Sequence, residues 1–270
     1  LCDAIQPGLA ALPADTSIGV APHSLRAVAP DSFAASRALA RGGPFHMHLA
    51  EQLAEVEEVK QHLGARPVEW VLNNMEIDDS CCFIHCTQMQ PHEIRGLAKS
   101  GAIASLCPIT EANLGDGIFE GVKWLDSGGA IAIGSDSNIR ISLSEEIRTL
   151  EYSQRLRDHS RAALASDDKS TGRRIFDEIV AGGANAAGRK TGKISVGYWA
   201  DLLALDSNAI NIVGHEHDTI LDSFVFAGDD RLVKDVWSAG RHLIKNGRHV
   251  KSESLINTYL QTMRSISGDM

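Results

Sequence analysis

The chain has 270 residues, a formal net charge of −9, 43% hydrophobic and 23% charged residues, a balance that suits a folded protein with one large core, or a large and a small one. The acidic excess argues against a nucleic-acid partner, which demands a basic face, and no apolar run approaches the roughly 20 residues of a membrane span. The first residues, LCDAIQPGLAALPADTS, lack the basic start of a secretory signal. The five cysteines, Cys2, Cys81, Cys82, Cys86 and Cys107, form no CxxC pair and read as buried thiols of a reducing compartment. A cytoplasmic enzyme acting on a small molecule, with no nucleic acid and no membrane involved, is the expectation.

In chain order, strand-like runs alternate with helical stretches. SIGVAP (17–22) is the first run, and His23 and Arg26 follow it. PFHMHLA (44–50) carries His48, with Glu51 just beyond. The next stretch, EQLAEVEEVKQHLG, places Leu53, Val56, Val59 and Leu63 at helical spacings and stops at Gly64. CCFIHC (81–86) carries His85, and PHEIRGLAKSG follows as a helix ending at Gly101. AIASLCP (102–108) and AIAIGSD (130–136) flank the helical GIFEGVKWLDSGG, and Asp136 ends the last run. Beyond it SLSEEIRTLEYSQRLRDHSRAALAS reads as a long helix opened by a Ser142–Glu145 capping box, and GRRIFDEIVAGGANAAG as another. From Lys193 the pattern changes to short strands with turn glycines: KISVGYWADLLALDS, DSFVFAG and VKDVWSAGRHLIKNGRHV. SESLINTYLQTMRSIS is a terminal amphipathic helix. The division implied is 1–192, 193–250 and 251–270.

Near-continuous apolar strands, each followed by a helix, belong to an α/β protein whose parallel sheet is covered on both faces, as in a (β/α)8 barrel. Only five such runs are present where a closed barrel has about eight. The expected architecture is therefore part of a barrel, about strands 4–8, with a small β unit beside it. In a barrel, side chains leaving the C-terminal strand ends converge on one site. His48, His85 and Asp136 have the nitrogen and oxygen donors to hold one divalent metal, zinc or alternatively iron(II). Such a metal makes hydroxide available at neutral pH, and Glu51 is placed to pass a proton to a leaving nitrogen. A plainer reading stays open for each: a histidine that only packs, an Asp136 that only caps a turn, an Arg26 in a structural salt bridge. His46 shares a strand face with His48 and reads as an orienting group, not as half of an HxH ligand pair. His62 and His92 read as helix-surface residues, and His215-Glu216-His217 as a solvated loop.

The order HxxE, His, SDS across successive strand ends resembles the amidohydrolase superfamily, in particular its cytosine-deaminase-like branch. KISVGYWADLLALD and VWSAGRHLIKNGRH resemble part of the β-sandwich beside that family's barrel, so the likeness runs over essentially the whole chain. VAPHSLRAV (20–28), HMHLAEQ (46–52) and CPITEANLGDGIF (107–119) are similar to the branch that hydrolyses formimino-L-glutamate in histidine degradation. The resemblance implies that His48 is a metal ligand and that Asp136 is both ligand and base. It implies that Glu51 protonates the departing ammonia and that His85 orients or polarises beside the metal. Hydroxide would add to the formimino carbon, and loss of ammonia would leave the N-formyl product. A glutamate-derived substrate carries two carboxylates, for which Arg26 supplies a planar clamp and His23 a second donor. The alternatives are a related deaminase of a nucleobase or similar aminated ring, and a non-catalytic truncated paralogue. Relatives are commonly homodimers, and a homodimer is expected here. Family members also carry an HxH pair at the end of the first barrel strand, and this sequence has no candidate for it upstream of His23. The chain is therefore expected to be the C-terminal part of a longer enzyme and to bind metal poorly by itself.

Overall fold

Four short runs pair into one parallel sheet in a computed structural model, which describes residues 2–137 and 140–268. They are β1 (Phe45–Leu49), β2 (Cys81–His85), β3 (Ile103–Leu106) and β4 (Ala130–Ile133), hydrogen-bonded in the order β1-β2-β3-β4. The fifth expected run forms a single parallel bridge, Val20 to Phe45. Its backbone still follows β1: His46 N–H donates to the Val20 carbonyl at 2.9 Å and His48 N–H to the His23 carbonyl at 3.0 Å. Strand β1 alternates buried Phe45, Met47 and Leu49 with half-buried His46 and His48, so one face is apolar core and the other carries imidazoles.

The helices in chain order are α1 (Cys2–Leu9), α2 (Pro30–Leu39), α3 (Leu53–Leu63), α4 (Pro67–Asn74), α5 (Pro91–Lys99) and α6 (Pro108–Leu114). They continue as α7 (Gly121–Asp126), α8 (Leu143–Asp158), α9 (Thr171–Ala186), α10 (Asp218–Asp222) and α11 (Ser252–Gly268). Their ends follow local chemistry. Helix α3 buries Val56 and Val59 and stops where Gly64 turns left-handed at φ 73°. Proline opens α4, α5 and α6, where a missing N–H costs nothing. Ser142 Oγ accepts from Glu145 N at 3.3 Å; the Glu145 carboxylate pairs with Arg140, so only half of the expected capping box forms. Helix α9 lies directly on β4, and Gly182 is the reason: a Cβ there would meet the Ile131 carbonyl oxygen at 2.0 Å. The core gathers Phe45, Met47, Phe83, Leu106, Ile131 and Trp124, with Trp124 Nε1 donating to the Ala130 carbonyl at 3.0 Å.

Beyond α9 a second, antiparallel sheet joins β5 (Leu202–Leu205), β6 (Val233–Ser238), β7 (Arg241–Lys245) and β8 (Arg248–His249) in that order. Two expectations are corrected here. DSFVFAG is not a strand: residues 218–227 are helical, ending in a π-turn over Ser223–Ala227. Phe224 and Val225 are buried together there, and Arg148 Nε of α8 donates to the Val225 carbonyl at 2.7 Å. Two adjacent apolar residues going to the same core suit a helical turn better than an alternating strand. KISVGYW is not a strand either; Ile194 and Val196 are exposed, and pairing starts only at Leu202. Cys81, Cys82, Cys86 and Cys107 are buried free thiols; Cys2 lies outside the described side chains. Among the described residues no helix is long and apolar enough to cross a membrane.

Candidate active site

The site lies at the C-terminal ends of β1, β2 and β4. Regular alternation would send the β2 residue in register with Leu49, His85, to the buried face away from His48. The backbone breaks that alternation. His85 and Cys86 have φ of 72° and 52°, Ala50 after β1 has 51°, and Asp136 after β4 has 39°. Left-handed backbone at four non-glycine residues is strained, and it gathers here at the strand ends. Its result is that one donor atom each from His48, His85 and Asp136 lie within 4.8 Å of one another.

The imidazoles form a stack. The His23 and His48 ring centroids are 4.8 Å apart, and those of His48 and His85 are 5.7 Å apart. His48 Nδ1 faces the His23 carbonyl oxygen at 2.9 Å. A carbonyl only accepts, so Nδ1 carries the proton and Nε2 keeps a lone pair. His23 itself is bonded through Nδ1 to Ser24 Oγ at 2.9 Å. His46 Nε2 is bonded to the Ala186 carbonyl at 2.7 Å, tying β1 to the end of α9 and standing apart from the donor trio.

Glu51 follows the turn after β1, with Oε1 3.7 Å from His85 Nε2. Burial, the largest influence, pushes its carboxyl above the usual range, and Asp116 and Glu55 add to this against the pull of His85. A carboxylic acid so raised keeps its proton to higher pH than an exposed one. His85 is almost wholly buried. Burial pulls its basicity down, but the Glu111 hydrogen bond and the charges of Glu51, Glu111 and Asp136 outweigh it, so the net shift is upward.

Two carboxylates that hold this arrangement escaped the sequence reading. Glu55 accepts from the backbone of Ala50 at 2.9 Å and of Glu51 at 2.7 Å, fixing the strained turn that aims Glu51. Glu111 reaches His85 Nδ1 at 3.2 Å. An acidic residue in the first turn of a helix reads as an ordinary cap, and only tertiary placement separates these two from the rest.

Arg26 and His23 line one cavity of about 560 Å³ with His48, Glu51, Glu58 and His62. Arg26 Nε is paired with Glu58 Oε2 at 2.7 Å, both side chains about half exposed. The salt-bridge reading of Arg26 is thus realised, with both partners lining the cavity that Glu51 also lines. His62, read as a surface residue, is exposed and also lines this cavity. His215, Glu216 and His217 are exposed in a turn.

The family model for amidohydrolases matches residues 6–243. The chain belongs to the amidohydrolase family. Its sequence is 44% identical over 249 residues to formimidoylglutamate deiminase of Pseudomonas aeruginosa, covering 92% of this chain and 55% of that protein. Among solved structures it superposes on an amidohydrolase from Brucella melitensis with a TM-score of 0.92 at 40% identity, covering 98% of this chain and 58% of the other. An adenosine deaminase from Xanthomonas campestris with bound zinc gives 0.83 at 25% identity, over 93% of this chain and 58% of the other. This amidohydrolase chain therefore spans a little over half the length of these three relatives, and its parallel strands are the matching part of a TIM-type barrel wall.

Proposed function

We propose that the whole protein hydrolyses N-formimidoyl-L-glutamate to N-formyl-L-glutamate and ammonia. The observation that carries this reading is that Arg26, half exposed, lines the same cavity as His48 and Glu51. A substrate with a reactive amidine carbon at one end and carboxylates at the other needs a proton donor deep and a cation shallow. The similarity to the Pseudomonas deiminase supports the same substrate.

The donor set fits a divalent metal such as zinc: an imidazole with a free Nε2, a second imidazole and a carboxylate within 4.8 Å. His48 and Asp136 would hold it with His85 alongside, and it would supply a polarised water able to act as hydroxide at neutral pH. Asp136 then takes a proton from the attacking water. Glu51 gives a proton to the amidine nitrogen as the C–N bond breaks, so that ammonia and not amide ion departs. Arg26 releases Glu58 and pairs with a substrate carboxylate; a half-exposed ion pair is worth under about 1 kcal/mol and exchanges readily. His23 adds a hydrogen-bond donor beside it.

A neutral adenosine-type substrate, as the name of the Xanthomonas structure describes, would leave Arg26 with Glu58 alone. Arg26→Ala separates the readings. It should raise KM for formimidoyl-glutamate by roughly 10- to 100-fold, the loss of one charge-assisted pair of about 1.5–3 kcal/mol. An unchanged KM removes Arg26 from substrate binding.

A further inference from the structure

Helix α6 is held by two neighbouring elements and by its own cap. Glu146 Oε2 of α8 accepts from Ile109 N at 2.8 Å, Thr110 Oγ1 meets Ser137 Oγ of the Asp136 loop at 3.0 Å, and Glu111 Oε1 accepts from Cys107 N at 2.8 Å. That same Glu111 oxygen is 3.2 Å from His85 Nδ1, and Glu111 is 4% exposed. A backbone N–H can only donate, so Oε1 is an acceptor. The imidazole nitrogen facing it must carry a proton.

We infer that Glu111 is a positioning residue, which fixes the buried His85 ring with its proton on Nδ1 and its Nε2 turned to Glu51. This rests on the reading of His85 as part of the reacting site. Without the carboxylate, nothing among the contacts of the His85 ring selects Nδ1 over Nε2, and the neutral ring is free to turn its N–H toward Glu51. The chain Glu146–Ile109–Glu111–His85 thereby links α8, α6 and β2 to one imidazole orientation. A cap alone would need only the Cys107 bond, and its loss would be felt as stability.

The test uses the whole protein in metal-free form labelled with 15N-histidine, in wild-type, Glu111→Gln and Glu111→Ala forms, observed where His85 is neutral. Wild type should show Nδ1 protonated and Nε2 unprotonated. The glutamine oxygen keeps both acceptor contacts and should keep that tautomer; alanine should lose it. In the whole protein, alanine should lower kcat for ammonia release by roughly 10- to 100-fold with KM little changed, as for other groups that orient a site histidine, and glutamine should restore most of it. A wild-type His85 protonated on Nε2 overturns the inference even if the alanine form does not fold. So does an alanine form that keeps both tautomer and kcat. Absence of activity on formimidoyl-glutamate would sink the substrate reading and leave the tautomer result standing.

Discussion

Glu146 is the residue whose burial has the most measurable consequence. It is 2% exposed, one carboxylate oxygen holds Ile109 N, and the other has no protein partner. Burial, with Glu111, Glu145 and Asp136 nearby and only the Ile109 bond opposing, pushes its carboxyl up to about 7. A carboxyl raised on folding binds more protons folded than unfolded, so its share of stability is present below about pH 4.5 and falls as pH rises toward 7. Glu146→Gln should therefore be neutral near pH 4 and stabilising at pH 8, by up to about 3 kcal/mol. Urea unfolding at both pH values checks this; a shift equal at both would show that the carboxyl titrates alike in the two states. At this scale the sequence displayed His48, Glu51, His85 and Asp136 because each follows an apolar run. It hid Glu55, Glu111 and Glu146, because a carboxylate on a helix gives no sign of which backbone amide or ring it will meet. It also could not show that His85 reaches the site through left-handed backbone, since strand periodicity alone turns it away.

At the scale of elements, close approach decides the packing of α9 on β4. Gly182→Ala would place a methyl 2.0 Å from the Ile131 carbonyl oxygen. The helix must lift from the strand that leads to Asp136, at a cost of about 1–3 kcal/mol or more. Gly183, which has nothing within 4 Å of an added Cβ, is the control: its alanine form should be neutral to slightly stabilising. Equal unfolding midpoints for the two variants would show that α9 does not sit where described. Four of the five barrel runs were legible as strands because β-branched and apolar residues in short blocks have few other uses. The run at 222–228 misled, because Phe224 and Val225 pack beside α8 through a helical turn. Short apolar blocks do not distinguish strand from buried turn until the neighbour is known.

Across the molecule, one ion-pair network joins the N-terminal segment to the antiparallel sheet. Arg189 bridges Asp15 at 2.9 Å and Asp201 at 2.6 Å, Arg241 holds Asp15 at 2.7 Å, and Asp201 accepts from Ala239 N at 2.7 Å. Bonds from Arg241 and Arg189 hold the Asp15 carboxyl well below the usual range, and Arg189 lowers Asp201 to about 2. Carboxylates lowered on folding give stability that is full above their unfolded value near 3.8 and lost as pH falls toward 2. Wild type should lose melting temperature between about pH 4 and pH 2, and Arg189→Ala should lose less over that interval; equal losses would remove the network from the acid response. The sequence disclosed both sheets, but not this tie, since Asp15 and Arg241 lie far apart along the chain. The proposed reaction rests on the cavity that Glu51 and Arg26 both line. The most direct measurement is ammonia release by the zinc-supplied whole protein from formimidoyl-glutamate and from adenosine under identical conditions. A kcat/KM for formimidoyl-glutamate roughly 10- to 100-fold the higher is expected from one charge-assisted guanidinium–carboxylate pair. Equal values, or a preference for adenosine, would contradict the assignment.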